Sequence, residues 1–394
     1  MRVIVKTFVC GAGDCIFFII KDDNDSKQFS LMIDCGKFTS EIKCFIENDL
    51  NSKIDVMIAT HIDNDHISGM AQMLHEMPLL SIGKIFFNCY QEFRGKDLDN
   101  IDYIDEKSSV LLSSIQTPLP EAEVKINSTD ACLLSVEIGK IWHDVWEKNL
   151  ITNDSSDIDL GERFGKILFL SPTANDLAKL KEKYKREFNR YTHIVFTDDD
   201  FNNQQKYYET IQLFLQARKK HFDAIKIQAH TDIVSSLSLK EAKEFKPNAM
   251  SIENACSIAF EWECDGHRVL FLGDSDPDKV ADAIKCKFGE GIRHYDVIKM
   301  SHHGSQHSTS EKLLETVDSE CFLYTGGNNT DRPSLESIAK VVMRPLPEEC
   351  SIRRIYCNRV SNPIVKQLSE DETSDIKSQH HFIFEKNDTL EFTY

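Results

Sequence analysis

The sequence predicts an α/β (α+β) protein, and three observations carry that reading. Short apolar runs repeatedly end in polar clusters: "KIDVMIAT" at 53–60, "KILFLSP" at 166–172, "YDVIKMSHHGS" at 295–305 and "CFLYTGGNN" at 321–329. Runs of about four to eight such residues, bounded by turn formers, are the mark of buried strands. The stretch "SIAFEWECDGHRVLFLGDSD" at 257–276 reads as a hairpin turning at Asp265-Gly266, because Asp-Gly tolerates the positive φ angles of a tight turn. Between the strands, "NDLAKLKEKYKREFNRY" and "QQKYYETIQLFLQARKKHF" carry helical periodicity and dense charge.

Taken in order, the N-terminal "MRVIVKTFVCGAGDCIFFII" alternates and is interrupted by Gly11, Gly13 and Asp14. It predicts two strands rather than a secretory signal. A third strand, "FSLMIDCG", is followed by a helix and then by the strand "KIDVMIAT". Residues 90–160 read as loop-rich and acidic. Residues 175–247 read as a helical insertion, either a lid or partner-binding arm or a solvated excursion. No repeat with a period of about 20–50 residues is present, and the reading is one domain over 1–394.

Composition narrows the function. An apolar fraction of 41% supports a sizeable core, and a formal net charge of −18 argues against loose, charge-driven binding to nucleic acid or anionic membrane. It leaves room for a nucleic-acid enzyme whose own metals hold the phosphates. No stretch reaches the roughly 18 apolar residues of a membrane helix, so a cytoplasmic, membrane-free chain is expected. The twelve cysteines form no CxxC pair and read as reduced, mostly buried thiols. Zinc-finger spacing, a phosphate-binding P-loop, a dinucleotide GxGxxG and a Gly-x-Ser-x-Gly elbow are all absent.

The densest chemistry lies in "THIDNDHISGM" at 60–70. A buried strand ends at Thr60, and His61, Asp63, Asp65 and His66 follow within six positions. Burying two carboxylates at a sheet end costs roughly several kcal/mol unless something compensates. A divalent cation does so, and imidazole with carboxylate suits zinc, manganese or iron.

His-x-Asp-x-Asp-His after a buried strand resembles the signature of the metallo-β-lactamase-fold hydrolases. The usual motif there is His-x-His-x-Asp-His, so Asp63 stands where a second histidine is common. That variant resembles the branch typified by the nuclease-like domain of the DNA-uptake protein ComEC and related phosphoesterases. "FVCGAGDCIFFI…LMIDCG", "RVLFLGDSD", "VIKMSHHGSQHS" and "YTGGNNTDRPS" are similar to further segments of that branch, in its order. The likeness covers about 1–85 and 250–345 well, and the middle and the last 45 residues poorly.

The resemblance implies a four-layer αβ/βα sandwich with a metal site at one edge. It implies two divalent metals, zinc or manganese. His61 and Asp63 would hold one, Asp65 and His66 the other, and Asp274 would bridge them. One of His302 and His303 would complete a site, and both remain candidates. Asp65 would orient or deprotonate a water, and His303 would contribute to catalysis. Asn254 stands where members of the family commonly place another histidine. Arg332 stands where the branch often has histidine, and an arginine there can hold a phosphate bidentately. Ser305 is a further candidate for substrate contact or helix capping, Lys299 for packing or pairing near its strand, and His193 and His230 are ordinary histidines or substitute ligands. The expected activity is a metal-dependent phosphodiesterase on nucleic acid or a nucleotide. The alternatives are an ester, lactone or thioester hydrolase, or a regulatory or scaffold partner in a bacterial multi-gene system.

Overall fold

The computed structural model describes residues 1–22, 27–89, 127–192, 234–326, 332–348, 350–359, 362–370 and 373–394. The first sheet is built from β1 (Arg2–Thr7), β2 (Ile16–Lys21), β3 (Gln28–Ile33), β4 (Lys53–Ala59) and β5 (Ser81–Phe87), with α1 (Ser40–Asn48) and α2 (Asn64–Glu76) in the connections. Next come α3 (Asn127–Ile141), β6 (Ile158–Asp159), β7 (Lys166–Phe169), α4 (Ala174–Thr192), α5 (Ser236–Lys243) and the short α6 (Ile252–Ala255). The second half runs β8 (Phe260–Cys264), β9 (His267–Phe271), α7 (Pro277–Phe288), β10 (Arg293–Lys299), α8 (Glu311–Thr316), β11 (Val317–Tyr324), α9 (Leu335–Val342) and β12 (Arg353–Cys357). It ends with α10 (Pro363–Ser369), α11 (Ser374–Gln379), β13 (Phe382–Lys386) and β14 (Thr389–Thr393).

One sheet has the order β14-β1-β2-β3-β4-β5 and the other β13-β12-β11-β10-β9-β8-β7-β6. Both are mixed: β3, β4 and β5 run parallel beside an antiparallel group, as do β9 to β13. The period-two alternation of strands explains the layering. In β2, Ile16, Phe18 and Ile20 face the other sheet, while Phe17 and Ile19 face helices. In β9, Val269 and Phe271 face inward and Leu270 faces the opposite helices. Phe18 meets Trp262 at 5.0 Å and Phe271 at 5.5 Å across the interface. Such strands are buried on both faces, which is why they read as unbroken apolar runs.

Helices cover both outer faces. Ile42 and Ile46 of α1, Met70 and Met73 of α2, and Leu177 and Leu180 of α4 pack outside the first sheet. Val280 and Ile284 of α7, Ile338 and Val341 of α9, and Val365 and Leu368 of α10 pack outside the second. The result is the four-layer αβ/βα sandwich that the resemblance implies. The hairpin turns where expected: Cys264 pairs with His267, and Asp265 and Gly266 have φ of 50° and 88°.

The stretch 90–160 is not all loop. Residues 90–126 lie outside the described part, but α3 follows at once, and Ala131, Leu134 and Ile138 give it a buried stripe. Its polar N-terminal half hides that stripe from a composition-based reading. Of the expected insertion, 193–233 lies outside the described residues. Its described ends sit in opposite outer layers, Leu180 with the first sheet and Leu239 with the second. The described cysteines are all free, and most are buried. No described helix is long and apolar enough to cross a membrane.

Asp176 of α4 ties the two outer layers together. It accepts from Lys279 of α7 at 2.6 Å and from the Thr173 hydroxyl at 2.6 Å. Burial opposes its charge, but the ammonium and the hydroxyl outweigh burial and hold its carboxyl below the usual range. A depressed folded-state pKa gives stability that is present above the unfolded carboxyl's pKa and lost as pH falls through the folded value. Asp176→Asn should therefore cost about 1–2 kcal/mol near neutrality, the worth of charge-assisted hydrogen bonds. Thermal melts of both proteins should converge as pH drops below about 4.

Candidate metal centre

The site is assembled at one edge of the sandwich, where strands of both sheets end. After β4, Thr60, His61 and Ile62 lead to Asp63, which takes the N-cap position of α2 without capping it by its side chain. Asp65 and His66 lie in the first turn. Gly13 and Gly36 make room for this turn, since a β-carbon at either would overlap the Asp65 carbonyl. Asp274 follows β9, its N–H donating to Ser257 Oγ at 3.0 Å. His302 and His303 lie just after β10, in a turn where both have left-handed backbones, with φ of 51° and 56°. For side chains with a β-carbon that conformation costs roughly 1–2 kcal/mol per residue.

Asp274 Oδ2 is the hub. It lies 3.4 Å from His66 Nε2, 3.6 Å from His302 Nε2, 3.8 Å from His61 Nε2 and 4.0 Å from His303 Nε2. Asp63 Oδ2 is 3.9 Å from His61 Nε2, and Asp65 Oδ2 is 3.7 Å from His303 Nε2. Most of these separations are long for hydrogen bonds. They match two atoms bound to one cation at about 2.0–2.2 Å, which lie about 3.4 Å apart when tetrahedral. Nε2 of His61, His66 and His303 and Oδ1 of Asp274 are buried without a hydrogen-bond partner. Each such orphan costs roughly 1–3 kcal/mol, and three imidazole nitrogens within 4.0 Å of the Asp274 carboxylate are groups that a cation would satisfy. The residues present therefore fit a divalent metal.

The opposite ring atoms are fixed. His66 Nδ1 sits 2.7 Å from Asp34 Oδ2. Asp34 also accepts from the Thr60 hydroxyl at 2.6 Å and the Thr60 N–H at 2.7 Å. With its proton given to Asp34, the Thr60 oxygen accepts from His61 Nδ1 at 3.0 Å. His303 Nδ1 faces the Thr325 carbonyl at 3.0 Å and Asp14 Oδ1 at 3.2 Å. In each ring Nδ1 is engaged on its far side and Nε2 is turned toward Asp274, the orientation that metal-ligating histidines take. Asp14 clusters with His66 and His303. Its other oxygen is paired with the buried Lys299, so it orients a ligand rather than serving as one.

The crowding perturbs several of the clustered groups. Burial, then the neighbouring Asp65, pushes Asp63 up to about 7. Burial and then His66 depress His61 to about 4. Burial alone would lower His303, but the Asp14 and Asp274 carboxylates outweigh it and lift the ring to about 9.

The structure brings His61, Asp63, Asp65, His66, Asp274, His302 and His303 together. Asn254, on α6, places its amide 3.3 Å from both ring nitrogens of His302. Arg332 is half-buried, and its charge helps burial depress His302 to about 4. Ser305 is buried, its hydroxyl accepting the His307 N–H at 3.4 Å within the same turn. His193 and His230 lie outside the described residues. The sequence reading did not assign Asp14, Asp34, Thr60 or Ser257. One signal was present: "GDC" and "IDC" repeat an aspartate at a strand end before a cysteine.

Metal should stabilise the fold. A cation at about 100 times its dissociation constant adds about 2.7 kcal/mol. Excess Mn²⁺ or Zn²⁺ should raise the melting temperature by several degrees over chelator-treated protein, and an unchanged melt would count against the centre.

No protein-family model and no curated protein matches the chain. Among solved structures it is similar to the metallo-beta-lactamase fold protein YhfI from Bacillus subtilis, with a TM-score of 0.36 and 9% identity, over 100% of this chain and 99% of that one. It is also similar to a variant of the β-hydroxylase CmlA, with a TM-score of 0.37 and 10% identity, over 99% of this chain and 54% of that one.

Proposed function

We propose that the chain is a metal-dependent hydrolase of phosphodiesters, with nucleic acid or a nucleotide as substrate, in the manner of the ComEC-like branch it resembles. The observation that carries this reading is the set of orphaned, buried Nε2 atoms of His61, His66 and His303 around Asp274. When bound, a pair of divalent ions supplies Lewis acidity to a phosphoryl oxygen and lowers the pKa of a water. The chain's residues do the remaining work. Asp65 lies in the first turn of α2, beside His303, where it can orient a water and accept its proton. Arg332 offers a permanent charge next to His302, suited to a phosphate oxygen. The Asp34 and Asp14 hydrogen bonds keep the imidazoles from turning away.

A net charge of −18 favours a compact phosphodiester over a long polyanion, unless positive side chains gather near the site. The test is hydrolysis of bis-p-nitrophenyl phosphate by metal-loaded protein, beside an aryl ester and a lactone. Diester cleavage is expected, with Arg332→Ala raising KM for the diester about 10-fold or more and leaving any aryl ester unaffected. Ester or lactone cleavage without diester cleavage would move the assignment to carboxyl chemistry. Neither activity, with no bound metal, would leave a binding or scaffold protein.

A further inference from the structure

A chain of net charge −18 repels a long phosphate chain unless cations gather where that chain enters. Among the described residues, three cations stand on separate loops at the edge that holds the metal centre. Lys37 follows β3, Arg332 follows β11 and Arg359 follows β12. Lys37 is exposed and comes directly after Gly36, which lies against the Asp65 carbonyl. Arg332 is two residues before Ser334, whose N–H donates to the Gly304 carbonyl of the histidine turn at 2.9 Å.

Arg359 stands on a fixed base. Asn358, just before it and 2% exposed, accepts the Gly326 N–H at 3.2 Å and donates to the Phe8 carbonyl at 3.5 Å. Gly326 abuts the centre, since a β-carbon there would lie 2.7 Å from His303 Nδ1 and 2.5 Å from the Gly13 carbonyl. From this base the half-buried guanidinium reaches the turn between β1 and β2 and donates to the Gly11 carbonyl at 2.5 Å. Gly11 is exposed, so water could satisfy that carbonyl and the turn does not require an arginine. Gly13, two residues on, lies against the Asp65 carbonyl. Two residues span at most about 7 Å, which puts the guanidinium on the order of 10 Å from the Asp65 turn. That is too far to touch a phosphate held at the metals. It equals about three phosphate spacings of a stacked strand.

We propose that Arg359 binds a phosphate flanking the one that is cleaved, with Lys37 extending the same cationic rim, and that the substrate is a nucleic-acid strand rather than a single compact diester. Arg332, beside His302, keeps the phosphate at the centre. The inference rests on the metal-dependent phosphodiesterase reading above.

The test reads binding on the full, metal-loaded chain. Fluorescence anisotropy follows a labelled phosphorothioate oligothymidylate, which resists cleavage, over a range of salt concentrations. Wild-type protein should bind it more tightly than a thymidine dinucleotide. Arg359→Ala should weaken oligothymidylate binding by about 10-fold at low salt. It should also flatten the plot of log affinity against log salt by about 0.7, the share of one phosphate contact on a single strand. Arg359→Lys should keep most of that slope, because the charge is retained. A purely structural arginine would instead weaken binding at every salt concentration alike, and its replacement by lysine would not restore the slope. The wild-type slope in Arg359→Ala would overturn the inference, as would a wild type that binds the oligothymidylate no better than the dinucleotide. Hydrolysis of bis-p-nitrophenyl phosphate by the same preparation would leave the phosphodiesterase reading standing in either case. A wild type that neither cleaves the diester nor binds the oligothymidylate would overturn both.

Discussion

Asp274→Ala is expected to lower diester hydrolysis by about 10³-fold or more, roughly 4 kcal/mol of transition-state stabilisation. It should also take bound metal below one ion per chain. The reason is geometric: four imidazole nitrogens lie within 4.0 Å of its Oδ2, so no other single change disturbs as many donors. The fold should survive, because Asp274 sits at a strand end and not among the apolar residues between the sheets. Steady-state rates and elemental analysis on a protein with an unchanged circular dichroism spectrum check this. Full metal content with intact activity would remove Asp274 from the centre.

Lys299→Met should cost about 3–5 kcal/mol, the usual loss when one partner of a buried ion pair is removed. Lys299 and Asp14 are each about 1% exposed, and their ion pair lies beneath His303. Lys299 also donates to the Gly273 carbonyl at 3.3 Å, next to Asp274. Its loss leaves the Asp14 carboxylate buried without its ammonium. The double variant Lys299→Met/Asp14→Asn should therefore recover a large part of the stability, a coupling that urea unfolding of the four proteins measures. Simple additivity would mean that the two side chains act independently.

Much of this architecture was legible because strands buried on both faces leave long apolar runs in the sequence. "KIDVMIAT" and "VIKM" gave themselves away in that manner, and the polar residues just beyond them became the donors. Asp-Gly at 265–266 marked the hairpin through the backbone conformation it permits. The helix α3 escaped notice because its apolar residues crowd together after the polar NSTD at 127–130, so the sequence there shows little helical alternation of polar and apolar residues. Asp14 and Asp34 escaped for a different reason. Their partners, His303 and His66, are 289 and 32 positions away, and sequence spacing says nothing about a hydrogen bond made through tertiary packing. The same limit left His302 and His303 interchangeable in the sequence, and the structure brings both rings within 4.0 Å of one carboxylate oxygen.

The donor set has one further consequence, for the order in which the protein is made and unmade. His61, Asp63, Asp65 and His66 follow β4, leading into and opening α2, whereas Asp274, His302 and His303 follow β9 and β10 of the other sheet. Neither half holds a complete set, so a high-affinity ion can be captured only after the sheets have docked. Contacts this distant along the chain close late in folding. A captured ion then rivets the two halves and should slow unfolding far more than it speeds folding. For such a protein, the lifetime of the native state would be set by the metal supply around it.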